Sequence, residues 1–120
     1  MPPRWTPSAL LPPVQDVVFL STLIAVVRGG SIMLSLDGDP ARHLTVGSYI
    51  LASGRILDSD PFSHTMAGQP YAPHEWLAEV AAAVTYNWAG PAGPVLLSGA
   101  VIGLTFALLF THLRSRGHAP

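Results

Sequence analysis

The residues of this chain that are able to do chemistry are concentrated in its middle. Residues 43–80 hold three of the histidines, His43, His64 and His74, and both glutamates, Glu75 and Glu79. An acidic pair, Asp37 and Asp39, stands just before them, directly after a strongly apolar stretch. A carboxylate held at such a boundary can accept a proton from an attacking hydroxyl, or help to hold a divalent cation. Asp39 also has a structural use, because Asp39-Pro40 supplies an N-cap followed by proline at the first helical position. Asp37 can equally be a solvated loop residue. His74-Glu75 with Glu79 offers a proton relay or a metal site, but not a HExxH zinc-protease motif, since Ala78 precedes a glutamate and no second histidine follows at the required turn. Ser63-His64 lacks the elbow of a nucleophilic serine, which excludes a hydrolase. His43 and His64 suit capping or hydrogen bonding more readily than ligation. Asp37 and Asp39 are therefore the catalytic candidates, with His43, His74, Glu75 and Glu79 as a supporting polar set.

The elements that must position these groups are legible from turn signals and periodicity. Asp39-Pro40 starts and Gly54 stops a short amphipathic helix near 40–53, with Leu44, Val46, Ile50 and Leu51 near one side. A proline- and glycine-rich stretch follows, with turns at Asp60-Pro61 and Gly68. A second helix is predicted near 73–89. There Leu77, Val80, Val84 and Trp88 share an apolar face, whereas Glu75 and Glu79 stack one turn apart on another. Tyr71, Trp76, Tyr86 and Trp88 suit the headgroup belt of a bilayer.

Composition places this hairpin at a membrane. Of 120 residues 49% are apolar and only 11% charged, against roughly 25% charged in ordinary soluble domains. The net charge is -1 and lysine is absent, which excludes the basic footprint of a nucleic-acid binder. The lack of cysteine excludes a disulfide scaffold and a thiolate metal site and says nothing of compartment. Residues 95–113 carry no charge and, at about 1.5 Å per residue, just cross a bilayer core of roughly 30 Å. In that span Gly99 and Gly103 form a small-xxx-small pair that lets another helix approach.

The earlier apolar segment, 17–36, has Arg28 near its middle, followed by Gly29 and Gly30. A central arginine costs roughly 2.5–3.5 kcal/mol on insertion scales, which the surrounding apolar residues offset. Three readings stay open: a span whose arginine faces a partner or watery cavity, a helix shifted so that Arg28 snorkels, or a signal peptide. Arg4 before the first segment and Arg114 and Arg116 after the second put both termini in the cytoplasm. The expected fold is an all-α membrane protein with two transmembrane helices flanking an extracytoplasmic loop that contains two short amphipathic helices. Its organisation is a flexible cytoplasmic leader at 1–13, helix 1 at 14–36, the outer loop at 37–94, helix 2 at 95–113 and a cytoplasmic tail at 114–120.

The motif series across residues 35–112 resembles the amino-terminal part of a group of bacterial multi-pass membrane proteins. Its members share an Asp-containing start (here Asp37 or Asp39), His43-Leu44, Gly47 with Ile50-Leu51, the Asp60–Ser63 run, and His74–Leu77 with Glu79. That group is similar to the GT-C superfamily, membrane glycosyltransferases that move a sugar from a polyprenyl-phosphate donor to an acceptor outside the cytoplasm. The resemblance implies that Asp37 or Asp39 acts at the acceptor hydroxyl or binds a divalent cation. It also implies residence in the bacterial inner membrane, the lipid bilayer and a polyprenyl-phosphate-linked sugar as partners, and further membrane helices of the same or a partner chain. On this reading the chain is a fragment or subunit of an enzyme and inactive alone. Two other classes compete. One is a non-catalytic membrane assembly or scaffold module, in which the Asp-Pro and His-Glu motifs only cap and staple the outer helices. The other is a secreted soluble domain behind a signal peptide.

Overall fold

Proline and glycine punctuate the helices of this chain, and the computed structural model, which describes residues 12–36 and 38–117, is all helical. Among those residues four helices occur: α1 (Val14–Leu36), α2 (Asp39–Ser53), α3 (Trp76–Ala89) and α4 (Ala92–Ser115). The described residues contain no strand, only an isolated bridge between Ser59 and Pro70. Most of the expected leader, residues 1–11, and the catalytic candidate Asp37 lie outside the described residues. The chain divides into two compact units, one made of residues up to Gly30 together with those from Ser98 onward, the other of Ser31–Leu97.

In the first unit α1 starts behind Pro13, whose carbonyl accepts the N–H groups of Asp16 and Val17 at 2.9 and 3.3 Å. The glycines of α4 set how closely it meets α1. A Cβ on Gly99 would lie 2.9 Å from the Leu23 side chain, and one on Gly103 would lie 3.0 Å from the Phe19 ring and 3.1 Å from the Phe19 carbonyl oxygen. The small-xxx-small pair is thus filled from within the chain. Leu20, Ile24, Leu104 and Leu108 are exposed, as is Arg28. Among the described residues, α4 is the one helix long and apolar enough to cross a membrane.

The second unit is built around α2 and α3. Val46, Ile50 and Leu57 form its buried core, with Tyr71 and Val80 packed against them. Gly47 brings the two helices together: a Cβ there would overlap the backbone carbonyl of Glu79 and stand 3.1 Å from the Ala83 Cβ. Helix α2 ends at Gly54, which adopts the left-handed φ of 66° and donates its N–H to the Ile50 carbonyl at 2.9 Å. Its start differs from expectation. Gly38 occupies the N-cap position and Asp39 lies inside the first turn. There the Asp39 carboxylate complements the helix dipole and pairs with Arg42 at 3.7 Å.

The apolar faces also differ from the simple periodic reading. Leu51 is exposed rather than in the core of α2. On α3 the face divides: Val80 packs against the core and Val84 is half-buried, but Leu77 is 64% and Trp88 85% exposed while Glu79 and Ala83 are buried. Helices that touch through glycine and alanine leave no room for large side chains at the contact, so the bulky residues of α3 are driven outward.

Between the two helices the loop is closed by backbone hydrogen bonds. The Asp60 N–H donates to Gln69, the Gly68 N–H to Asp60 and the Tyr71 N–H to Asp58, at 2.9, 2.8 and 3.0 Å. Gly68 turns the loop with a φ of 77°. The Asp60 carboxylate oxygen accepts the N–H groups of Phe62 and Ser63 at 2.8 and 3.0 Å, so the Asp-Pro-Phe-Ser run is an Asx turn. The Phe62 ring meets Tyr49 of α2 edge-on, with centroids 5.9 Å apart.

Replacing Gly47 by alanine is expected to destabilise the α2–α3 pair by at least about 1–3 kcal/mol, the usual cost of overpacking. Gly29→Ala, with no atom within 4 Å of the added methyl, should leave stability unchanged or raise it by up to about 1 kcal/mol. Unfolding in detergent micelles followed by circular dichroism compares the two. The hydroxyl and N–H of Ser63, with the N–H of Phe62, hold the Asp60 carboxyl below its ordinary value of 3.8. Because the folded-state value is the lower one, the stabilisation is full above the ordinary value and is lost as the pH falls from there through the depressed folded-state value. Asp60→Asn should flatten the acid limb of the stability profile, and an unchanged limb would refute the Asx-turn role.

Candidate functional site

Helix α2 presents Asp39, Arg42 and His43 within one turn and a residue, so the three side chains share one edge of its first turns. Gly47 lies one turn beyond His43 and holds the backbone of α3 at Glu79. That contact sets the distance at which the Glu79 side chain meets the imidazole. His43 Nδ1 is 3.0 Å from Glu79 Oε1 and 3.5 Å from Glu75 Oε2. The two carboxylates lie one turn apart on consecutive windings of the chain, since the Glu79 N–H donates to the Glu75 carbonyl at 3.0 Å. Among the described residues, His43, Glu75 and Glu79 form a group whose potential ligand atoms all lie within 4.8 Å of one another.

The same edge continues through Arg42. Its Nη1 donates to the Tyr71 hydroxyl at 3.0 Å, its Nη2 lies 3.4 Å from His43 Nε2, and its Nε is 3.7 Å from Asp39. Burial opposes the Arg42 charge, but Tyr71, Asp39 and Glu79 outweigh it and hold the guanidinium above its already high ordinary value. Arg42 therefore stays charged and ties α2 to the end of the closed loop. With the His43 proton on Nδ1, the imidazole donates to Glu79 and its Nε2 accepts from Arg42, so every contact has a matched donor and acceptor.

Burial differs sharply along this chain of contacts. Asp39 is 67% exposed at its side chain and Glu75 is also exposed, whereas Glu79 is only 2% exposed. Glu79 Oε2 is buried and has no hydrogen-bond partner among the described residues. An oxygen in that condition costs about 1–3 kcal/mol. The arrangement can therefore relay a proton between His43 and a carboxylate, or accept a cation at the unmatched oxygen.

The supporting set divides on inspection. His43, Glu75 and Glu79 converge, although His43 is 36 residues from Glu79. His74 is exposed and makes no side-chain hydrogen bond or ion pair among the described residues, and His64 is likewise exposed. Asp39 lies at the open end of the cluster, joined to it through Arg42. Arg42 and Tyr71 belong to the site but no local motif marks them, because their contact spans 29 residues. Gly99 and Gly103 lie in the other unit, against Leu23, Val26 and Phe19. Comparison with protein-family models, with curated proteins and with solved structures finds no match to this chain.

His43→Ala strands the buried Glu79 carboxyl and should cost about 1–3 kcal/mol of stability. The double replacement His43→Leu with Glu79→Met removes both polar partners and is expected to recover most of that loss. Melting of the wild type and both variants in micelles decides: a double variant as unstable as the single one would show that the carboxyl is not the cause.

Proposed function

We propose that the chain is the amino-terminal region of an integral-membrane glycosyltransferase that moves a sugar from a polyprenyl-phosphate donor to an acceptor on the outer face of the bacterial inner membrane. The observation that carries this reading is the convergence of the motif residues. His43 from the head of α2, Glu75 at the N-cap of α3 and Glu79 within α3 meet in one polar cluster with Arg42 and Tyr71, which favours a built site over dispersed caps. In this reading α1 and α4 are the flanking spans and both termini are cytoplasmic. The α2–α3 hairpin then stands outside, and its exposed Trp76, Leu77 and Trp88 rest in lipid or its headgroup belt.

The chemistry asked of the site is modest. An acceptor hydroxyl attacks the anomeric carbon, the bond to the polyprenyl phosphate breaks, and a carboxylate takes the hydroxyl proton. This reading assigns that role to Asp39, which is exposed and paired with Arg42 at 3.7 Å; Asp37 is the neighbouring alternative in sequence. The scaffold reading draws less support, because the glycine seam that would take a partner helix already holds Leu23 and Phe19 of the same chain.

In native membranes, Asp39→Asn or Asp37→Asn is expected to lower transfer from a labelled polyprenyl-phosphate sugar by about 10²-fold or more, the usual contribution of a general base. Membrane insertion should be unaffected. Normal transfer by both variants would remove the proposal.

A further inference from the structure

The glycosyltransferase reading draws on the convergence of His43, Glu75 and Glu79 but gives the proton transfer to Asp37 or Asp39, so the chemistry of the converged group itself is a separate question. We infer that these three residues form a binding site for a transition-metal dication of the Zn²⁺ type, held by one imidazole nitrogen and two carboxylate oxygens. Two separate observations carry this. The ligand atoms are gathered within 4.8 Å of one another. Glu79, 98% buried by its 2% exposure, keeps Oε2 without a partner, although Oε1 of the same carboxylate touches His43 Nδ1. Buried side-chain oxygens ordinarily have a partner, so the lone pairs of Oε2 are available to a cation.

The spacing fits the ion. Zinc–nitrogen and zinc–oxygen bonds of about 2.0–2.2 Å in a tetrahedron require ligand atoms about 3.3–3.5 Å apart. From His43 Nδ1 the distances are 3.0 Å to Glu79 Oε1 and 3.5 Å to Glu75 Oε2, and the group spans no more than 4.8 Å, so a movement of the exposed Glu75 side chain closes the set. The donor types select the ion class as well. Calcium takes six to eight oxygens and magnesium prefers an all-oxygen octahedron with several waters, whereas imidazole nitrogen with carboxylates suits zinc and its neighbours. Three protein ligands leave a fourth position for water. Glu75 is exposed and gives the ion its way in.

Binding demands one rearrangement that the structure makes explicit. Nδ1 must present its lone pair to the metal, so the imidazole proton moves to Nε2. Arg42 Nη2, 3.4 Å from that nitrogen, then faces a donor and swings away, still held by Tyr71 and Asp39.

The full chain in detergent micelles, titrated with Zn²⁺ alone in a chelator-free buffer by calorimetry, tests this without any sugar transfer, so it stands or falls apart from the enzymatic proposal. The wild type should bind one Zn²⁺ saturably, with Mg²⁺ failing to compete. Glu75→Gln changes an exposed side chain and keeps the fold; it should weaken binding at least about tenfold, the low end of what losing even a supporting partner costs a metal site. His43→Ala should abolish binding, and His74→Ala, one residue from Glu75, should leave it unchanged. Absence of saturable binding by a helical wild type overturns the site. So does Glu75→Gln binding as the wild type does, or His74→Ala losing as much as Glu75→Gln, since either result marks loose capture by surface histidine.

Discussion

The second unit depends on a missing side chain. Helix α2 can approach α3 only where it carries no Cβ, at Gly47, which lies on the Glu79 carbonyl and beside Ala83. Everything polar nearby follows from that approach. One turn before Gly47 the imidazole of His43 falls level with the Glu79 side chain, and the same closeness shuts the carboxyl away from water. A wider crossing, with leucines between the helices, would leave Glu79 solvated and His43 without a buried partner. The interaction that looks like the centre of the site is thus a consequence of backbone packing, and the glycine in the Gly47, Ile50-Leu51 part of the motif has a steric reason to be there.

The helices could be read from sequence because their signals are local. Asp39-Pro40 and Gly54 frame α2 as proline near the first turn and glycine in the left-handed region dictate, and the apolar run of α4 needs only its length. Facing was not local. Periodicity groups Leu77, Val80, Val84 and Trp88 on one face of α3, yet Val80 packs on the core while Leu77 and Trp88 are exposed, and the residues buried against α2 are Glu79 and Ala83. Where helices meet through small residues, size and not polarity decides what can lie at the contact. The large apolar side chains are then left for whatever surrounds the hairpin, which is an economical arrangement only if the surroundings are apolar as well.

The site was half legible for the same reason. Glu75 and Glu79 announce themselves at helical spacing, and the acidic start at Asp39 is visible at a glance. The histidine that joins them could not be chosen by spacing: His74 is adjacent in sequence and points to solvent, while His43 is distant and arrives through the crossing at Gly47. Asp before Pro ordinarily caps a helix, whereas here Gly38 stands at the N-cap and Asp39, in the first turn, pairs with Arg42. Tyr71 could not have been found at all without the loop hydrogen bonds that deliver it.

That loop explains why the polar edge of α2 holds its shape although much of it is exposed. An exposed ion pair such as Asp39 with Arg42 contributes little by itself, and a lone Arg42 would sample many rotamers. Three backbone hydrogen bonds closing residues 58–71, an Asx turn at Asp60 and the Phe62–Tyr49 ring contact fix the end of the loop first. Tyr71 packs against the core and offers its hydroxyl to Arg42 at 3.0 Å, so the guanidinium is located by a group whose position has already been settled elsewhere. Arg42 in turn lies 3.4 Å from His43 Nε2, where a His43 protonated on Nδ1 can accept from it. The ordering therefore runs from apolar core to tyrosine, to arginine, to imidazole and to the buried carboxyl, and the weak exposed contacts at the rim inherit their geometry from the strong buried ones beneath.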